Sequence, residues 1–453
     1  MPESSQHFDC YLCGMIFLKE YFKSKANYNS LLVNEKQTFK KHIGFSITDG
    51  LVAGVLTLNE FVFLRSIKGS SYQLSFLFQF SVVVFILLIF ISEWLKRVNN
   101  KQKVVKLTGI LTRLPLAALV LFPAKSSDYS FSSTYHLIFL AIFLVYYLGN
   151  LVIFPNINLF LKSNYRHHLF GPLFSYSTLI GKVTMLITAF LYGWVLDLDP
   201  YSFRWVFVIA AVAGIMSTYF LSLIAYEDSE IYTKSIGIWG SVKESVKTMR
   251  GIIRDNTSFR HFEWGFMLYG FGFMSTVTVI TIFFESHLGL NYFSVASYKN
   301  AYNILALLMI PYFGKSLSRI DPRKFAAITF GSIMLFLLSL VLTYYVPVYI
   351  YVFGIKFYFA MIPFVLFHSV FAATMSLLWS IGSAYFCKPS EAGDYQSVHL
   401  FLTSARSLVA PLLGVIFYEL YGYVVTFVIG AAFLFIAVGI MIWSYRKDRA
   451  MVQ

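Results

Sequence analysis

Three cations and two carboxylates stand in stretches of this sequence that are otherwise apolar. Lys182 is set in Ile180-Gly181-Lys182-Val183-Thr184, Arg406 in Thr403-Ser404-Ala405-Arg406-Ser407, and Arg113 in Leu111-Thr112-Arg113-Leu114-Pro115. Asp49 and Glu60 are eleven residues apart, about three helical turns, which puts both on one face of a helix. An ammonium in such surroundings can bind an anionic solute or relay charge. A guanidinium offers a two-pronged fork to a carboxylate or phosphate. A carboxylate whose solvation changes can take up and release a proton. Each also has a structural reading, as half of an ion pair with another helix. His368, in Phe367-His368-Ser369, adds a side chain of the type that titrates near neutrality. Tyr146 and Asn150 share a face at i, i+4, in a run that also holds Tyr147 and Asn156, and suit hydrogen bonds to a solute or to a neighbouring helix.

What must position these groups follows from composition. Of 453 residues, 58% are hydrophobic, 19% aromatic and 13% charged. A soluble chain carries about 25% charged residues. The balance excludes an ordinary cytosolic enzyme, a disordered chain and a secreted disulfide scaffold, and implies a polytopic membrane protein. At bilayer depth an ionisable side chain costs roughly 2.5–3.5 kcal/mol, so those named above should face a cavity or a partner. Twelve segments are long and apolar enough to cross: 43–64, 73–93, 107–123, 134–161, 169–195, 204–226, 263–285, 297–314, 325–343, 348–385, 396–418 and 423–444. The tenth exceeds one crossing, so part of it should be interfacial. Continuous runs favour helices over a membrane barrel, giving an all-α membrane protein. Cys10 and Cys13 have CxxC spacing, but no second Cys or His pair stands nearby, and Cys387 makes the count odd. No metal and no cofactor is expected. No phosphate loop or HExxH motif occurs, which argues against an ATP-driven pump and a metalloenzyme. The first 42 residues show no apolar run behind a basic start.

Charge orders the segments. With both termini on one side, 27 of the 36 Lys and Arg fall on that side and six on the other: Arg65, Lys68, Lys125, Arg204, Lys299 and Lys356. The positive-inside rule then puts both termini in the cytoplasm, and the net charge of +14 reads as topology rather than nucleic-acid binding. The organisation is a cytoplasmic tail (1–42), six helices (43–226), a polar cytoplasmic loop (227–262), six more helices (263–445) and a short tail (446–453). Within the loop, residues 241–254 suit an amphipathic helix on the membrane surface, with Val242, Val246, Met249 and Ile253 on one face.

Six plus six helices around a cytoplasmic loop resembles the major facilitator superfamily. That family carries a G-x-L-x-D-R-x-G-R-(K/R) motif after helix 2, echoed after helix 8. The second copy is similar to Gly314-Lys315-Ser316-Leu317-Ser318-Arg319-Ile320-Asp321-Pro322-Arg323-Lys324; the first is degenerate, with Ser92 and Glu93 at its head. His168-Leu169-Phe170 and His399-Leu400-Phe401 echo between the halves, and Ala410-Pro411-Leu412-Leu413-Gly414 resembles the family's G-P-x-x-G element. The resemblance implies two pseudo-symmetric six-helix bundles, with helices 1 and 10 lining a central cavity. It implies that Gly314, Arg319, Asp321, Arg323 and Lys324 latch the bundles together in the outward-open state. It implies a transporter, and no enzyme, working by alternating access.

The expected function is secondary active transport of a small organic solute, anionic or zwitterionic because the buried cations outnumber the acids, with protons as the coupling partner. Lys182, Arg406, Asp49, Glu60, Asn150, Tyr146, His368 and Arg113 are the candidate binding and coupling residues. Efflux of drugs or other amphipaths is the alternative. A transport-inactive relative serving as receptor or scaffold is another. The chain is expected as a monomer in a lipid bilayer, by default a bacterial inner membrane.

Overall fold

The computed structural model describes residues 31–452 apart from 96, 126, 128, 130–133, 227–236, 318 and 389–390. Cys10, Cys13, Lys96 and the side chains of Ser92 and Glu93, which head the first loop motif, lie outside the described residues. The first half comprises α1 (Val33–Arg65), α2 (71–95), α3 (Lys101–Leu121), α4 (Thr134–Asn164), α5 (His167–Leu198) and α6 (Phe203–Ser222). A surface helix, α7 (Ile238–Asp255), leads to the second half: α8 (Thr257–His287), α9 (Tyr292–Leu317), α10 (Pro322–Tyr345), α11 (Met361–Ile381), α12 (392–421) and α13 (423–452). Nine helices among the described residues are long and apolar enough to cross a membrane, and the last of these, Asp394–Ala450, contains two crossings, α12 and α13. Twelve legs put the start of α1, at Val33, and the close of α13 at one end of the bundle. This is termed the basic end, and the opposite one the far end.

Glycines let the helices meet. A Cβ on Gly50 of α1 would overlap the Gly181 carbonyl of α5, and one on Gly54 would overlap the Met185 carbonyl and Thr188. In the second half a Cβ on Gly414 of α12 would overlap the Ser275 carbonyl of α8. Small residues at such crossings give close van der Waals packing where lipid supplies no hydrophobic drive. The same two helix pairs are also tied by polar side chains. Arg166 pairs with Glu35 at 2.8 Å in the first half, and His399 Nδ1 meets Glu263 at 2.9 Å in the second. The pairs α1–α5 and α8–α12 thus correspond, as the sequence echo at His168 and His399 anticipates. Aromatic side chains fill both cores, including Phe61, Phe139, Phe143, Phe262, Phe266 and Phe330.

Three features differ from the sequence reading. The segment 348–385 opens with an antiparallel hairpin, β1 (Tyr349–Val352) and β2 (Ile355–Tyr358), and becomes helical only at Met361. Alternating aromatic and β-branched residues favour the strands, and Phe353 (φ 49°) with Gly354 (φ 81°) makes the two-residue turn. Helix α9 begins at Tyr292, so Lys299 is inside a helix, not in a far-side loop. Finally, α7 does not rest only on lipid. Val242 is buried, Met249, Ile252 and Ile253 pack against the protein core, and Val246 stays exposed. It touches α2 of one bundle, with Trp239 edge-on to Phe90, and α12 of the other.

Candidate functional site

Arg113 organises a polar cluster inside the first bundle. Its Nη1 donates to Thr112 Oγ1 (2.7 Å) and to the Tyr146 carbonyl (3.0 Å), and its Nη2 donates to Asn150 Oδ1 (2.7 Å). The guanidinium also lies 4.3 Å from the centre of the Tyr146 ring. Asp49 is in its electrostatic range, beside the Ser217 hydroxyl. Gly149 and Gly214 make room: a Cβ on either would overlap Arg113. Four of the sequence candidates, Asp49, Arg113, Tyr146 and Asn150, therefore come together from α1, α3 and α4. With its fork on Asn150 and the Tyr146 carbonyl, Arg113 acts as an internal anchor for α4.

Arg406 has a comparable place in the second bundle. Its Nη1 donates to the Phe266 carbonyl of α8, its guanidinium faces the Tyr269 ring at 5.4 Å, and a Cβ on Gly270 would overlap it. The Glu263–His399 pair lies on the same α8–α12 interface. Arg406 is thus joined to the core of its own bundle, with Nε left unpartnered.

The remaining candidates meet between the bundles. The break in α1 at Thr57–Leu58 leaves the Thr57 carbonyl exposed to the other bundle, where Lys299 Nζ of α9 donates to it at 2.5 Å. Glu60, one turn further along α1, shares the field of Lys299 without ion-pair contact. Tyr147 of α4 and Tyr302 of α9 are also in range of Glu60. His368 of α11 stacks on Tyr302 with ring centres 3.7 Å apart, and on Phe336 at 4.9 Å. Several buried polar atoms here have no hydrogen-bond partner: Glu60 Oε2, His368 Nδ1 and both amide atoms of Asn59. The Asn59 amide lies near the Tyr147 hydroxyl but misses hydrogen-bond geometry. Leaving one such group unpaired costs about 1–3 kcal/mol. A set of them, contributed by both bundles, forms a polar cluster at the bundle interface.

Lys182 faces the same interbundle space nearer the basic end. Gly193, eleven residues later on the same face of α5, packs on Ala296 of α9, so Lys182 points toward the second bundle. Its side chain is accessible and makes no hydrogen bond among the described residues. Gly181 is level with Gly50, and Glu60 is ten residues beyond, so the two charges are separated along the axis by roughly 15 Å.

Hydrogen bonds join the bundles at the far end. Asp197, at the end of α5, accepts from the Tyr292 (2.9 Å) and Phe293 (3.0 Å) amides at the start of α9. Arg65 Nη1 donates to the Leu290 carbonyl at 2.6 Å, and Ser66 bonds the Tyr292 hydroxyl. Midway, Asn300 Nδ2 donates to the Leu186 carbonyl (2.9 Å), Gln79 Nε2 to the Leu408 carbonyl (3.2 Å) and Ser404 Oγ to the Val82 carbonyl (3.1 Å).

The loop motif works within one bundle. Asp321 caps α10 by accepting from the Arg323 amide (2.8 Å), and Arg323 pairs back onto Asp321 at 2.9 Å. Arg323 Nη1 reaches Asp448 at 2.5 Å and Ser444 Oγ at 3.0 Å, both on α13. Lys324 lies 4.1 Å over the Tyr445 ring. In this conformation the motif ties α10 to α13, where the sequence reading expects a latch across the bundles. Gly314 is uncrowded and Arg319 is exposed.

Sequence reasoning misses Lys299, Tyr302, Asn300 and Asp197. The signal for the first three was Asn291, whose side chain accepts from the Ser294 amide (2.9 Å) and starts α9 well before its apolar run.

Two six-helix bundles that meet at a polar interface inside an apolar shell define a membrane transport fold. The chain belongs to the Major Facilitator Superfamily, whose family model matches residues 42–405. It is an integral multi-pass membrane transport protein, not an enzyme. The fold is similar to the crystal structure of the nucleoside transporter NupG, at 12% identity over 91% of this chain and 100% of that one (TM-score 0.65). A POT family transporter in complex with a thioalcohol-conjugated peptide is 11% identical over 90% and 96% (TM-score 0.66). A bacterial homologue of the human lysosomal transporter Spinster, inward-facing and unoccupied, is 14% identical over 92% and 98% (TM-score 0.64). No curated protein matches the chain by sequence.

Proposed function

We propose that this protein is a secondary active transporter that moves a small zwitterionic solute by alternating access, coupled to protons. The observation that carries the reading is the interbundle polar cluster, in which Asn59 and Glu60 of one bundle lie among Lys299, Tyr302 and His368 of the other with buried polar atoms unpaired. Glu60 Oε2 is free to accept from an ammonium, and Lys182 is free to receive a carboxylate nearer the basic end. Two charges of opposite sign roughly 15 Å apart along the axis fit a zwitterion of short-peptide length better than a simple anion. Neighbours of the same fold carry peptides, nucleosides or 5-aminolevulinic acid, which are polar solutes of this size range.

Proton coupling rests on Glu60. A carboxylate between an ammonium and aromatic rings changes its proton affinity when the bundles part and water enters. Alternating access is supported by the hydrogen bonds between the bundles at the far end, through Asp197, Arg65 and Ser66, which a change of access would have to break. With the basic end in the cytoplasm of a bacterial inner membrane, as the Lys and Arg bias supports, these bonds lie on the outer side.

The test is proton movement in proteoliposomes holding a pH-sensitive dye, screened with pools of amino acids, short peptides, nucleosides, organic anions and cationic drugs. Solute-driven proton flux that disappears in Glu60→Gln supports the reading. Flux only with cationic drugs supports an amphipath exporter. No flux with any pool, from protein of verified fold, leaves an uncoupled or transport-inactive relative.

A further inference from the structure

The β1–β2 hairpin is held rigidly on its inner face and bare on its outer one. Inside, the Lys356 amide donates to Ser294 Oγ (2.9 Å), and the Tyr358 amide donates to the Tyr298 hydroxyl (2.8 Å). Lys356 Nζ and the Tyr358 hydroxyl both donate to the Leu288 carbonyl, at 2.6 and 2.8 Å. Lys356 thus spends its charge inward, stacked over the rings of Tyr349 and Tyr358. Outside, all four residues of β1 are exposed and Phe353 at the tip is 96% exposed. From Val346 to Ile355 there is no charged residue.

This bare surface is continuous with surface already assigned to lipid. Leu335, Leu338, Leu342 and Tyr345 are exposed along α10, Val346 and Val348 follow, and the run continues without interruption into β1. On the return side, Phe359, Ile362 and Leu366 carry it down α11. Helices α10 and α11 are membrane-spanning, so the hairpin between them sits at the level where hydrocarbon gives way to headgroups. Tyrosine and phenylalanine rings favour that zone, and an apolar strand left in water would instead be an aggregation edge.

We infer that the hairpin is a lipid-interface anchor, inserting its tip at Phe353 and the exposed β1 side chains Ile350, Tyr351 and Val352 into the far-end leaflet. Because its inner face is bonded to Leu288, Ser294 and Tyr298, it fixes the α8–α9 turn to the membrane. That turn is the one Arg65 and Asp197 grip from the first bundle. The anchor therefore holds the stationary side of the far-end closure.

The test uses full-length protein with Cys10, Cys13 and Cys387 replaced by serine, reconstituted in phosphatidylcholine–phosphatidylglycerol nanodiscs. A nitroxide is attached at Phe353→Cys and, in separate preparations, at Leu342→Cys as a lipid-facing reference and Arg254→Cys as an aqueous reference. Collision with oxygen is compared with collision with a water-soluble nickel chelate. The expected result is oxygen-dominated collision at position 353, on the same side of unity as position 342. Nickel-dominated collision matching position 254 overturns the inference. So does spin–spin broadening at position 353 in detergent, which would mean that a second copy covers the bare strand. If Phe353→Cys fails to fold, Tyr351→Cys, whose side chain is 67% exposed, gives the same reading.

Discussion

Glu60 and Arg113 are both buried and polar, yet the structure gives them opposite roles. Glu60 keeps an oxygen free beside Lys299, so Glu60→Gln preserves shape and removes the titrating group. The expected outcome is loss of solute-driven proton flux with unchanged gel-filtration behaviour, read in dye-loaded proteoliposomes. Arg113 has Asn150, Thr112 and the Tyr146 carbonyl as partners and Asp49 in range. Arg113→Met removes those hydrogen bonds and the positive charge in range of Asp49, and should cost about 1–3 kcal/mol of stability, as leaving buried polar groups unpaired does. A thermal melt in detergent reads the loss, and adding Asp49→Asn should restore part of it. Polar residues in apolar runs make all eight site candidates visible in the sequence. Which of them face each other depends on helix rotation, and no single run encodes that. Lys299 escapes for a local reason: it stands at the very start of the apolar segment 297–314 and so reads as a residue at the membrane edge, whereas α9 already begins at Tyr292.

Among the elements, crossings without side chains are the most exacting. Gly50→Ala would drive a methyl into the Gly181 carbonyl, and overpacking of this kind costs typically about 1–3 kcal/mol. The same melt should show it, and Gly171→Ala, where a Cβ meets nothing, should not. The α5–α9 junction yields a conformational prediction. Asp197 supplies a negative charge to a helix N-terminus, worth about 0.3–1 kcal/mol, so Asp197→Asn should shift the far end toward opening roughly two- to fivefold. A cysteine at Ser66, which is buried in the closed form, should then react faster with an impermeant reagent added from the far side. Helices were readable because a 20-residue apolar run leaves few alternatives. The hairpin was not, because its aromatic and aliphatic residues raise hydropathy as a helix would, and only alternation and Gly354 mark the turn.

Across the whole molecule, segment count carried the fold class, an all-helical membrane protein. What it left out is that α7 reaches both bundles, and that the loop motif is bonded inside one of them. The topology predicts that Arg254→Cys and Phe353→Cys, each in a cysteine-free background, label from opposite sides of sealed vesicles. Dual labelling from one side contradicts the inferred orientation. The junction between the last two legs matters before the protein ever works. Residues 410–452 run as helix with a single break at Gly422, whose φ of 77° and ψ of −178° belong to a region open essentially to glycine. With one residue as the turn, α12 and α13 have no tether long enough for one to wait in water while the other inserts. They are expected to enter the bilayer together, as a helical pair. A β-branched residue at position 422 would be felt first as lost insertion yield.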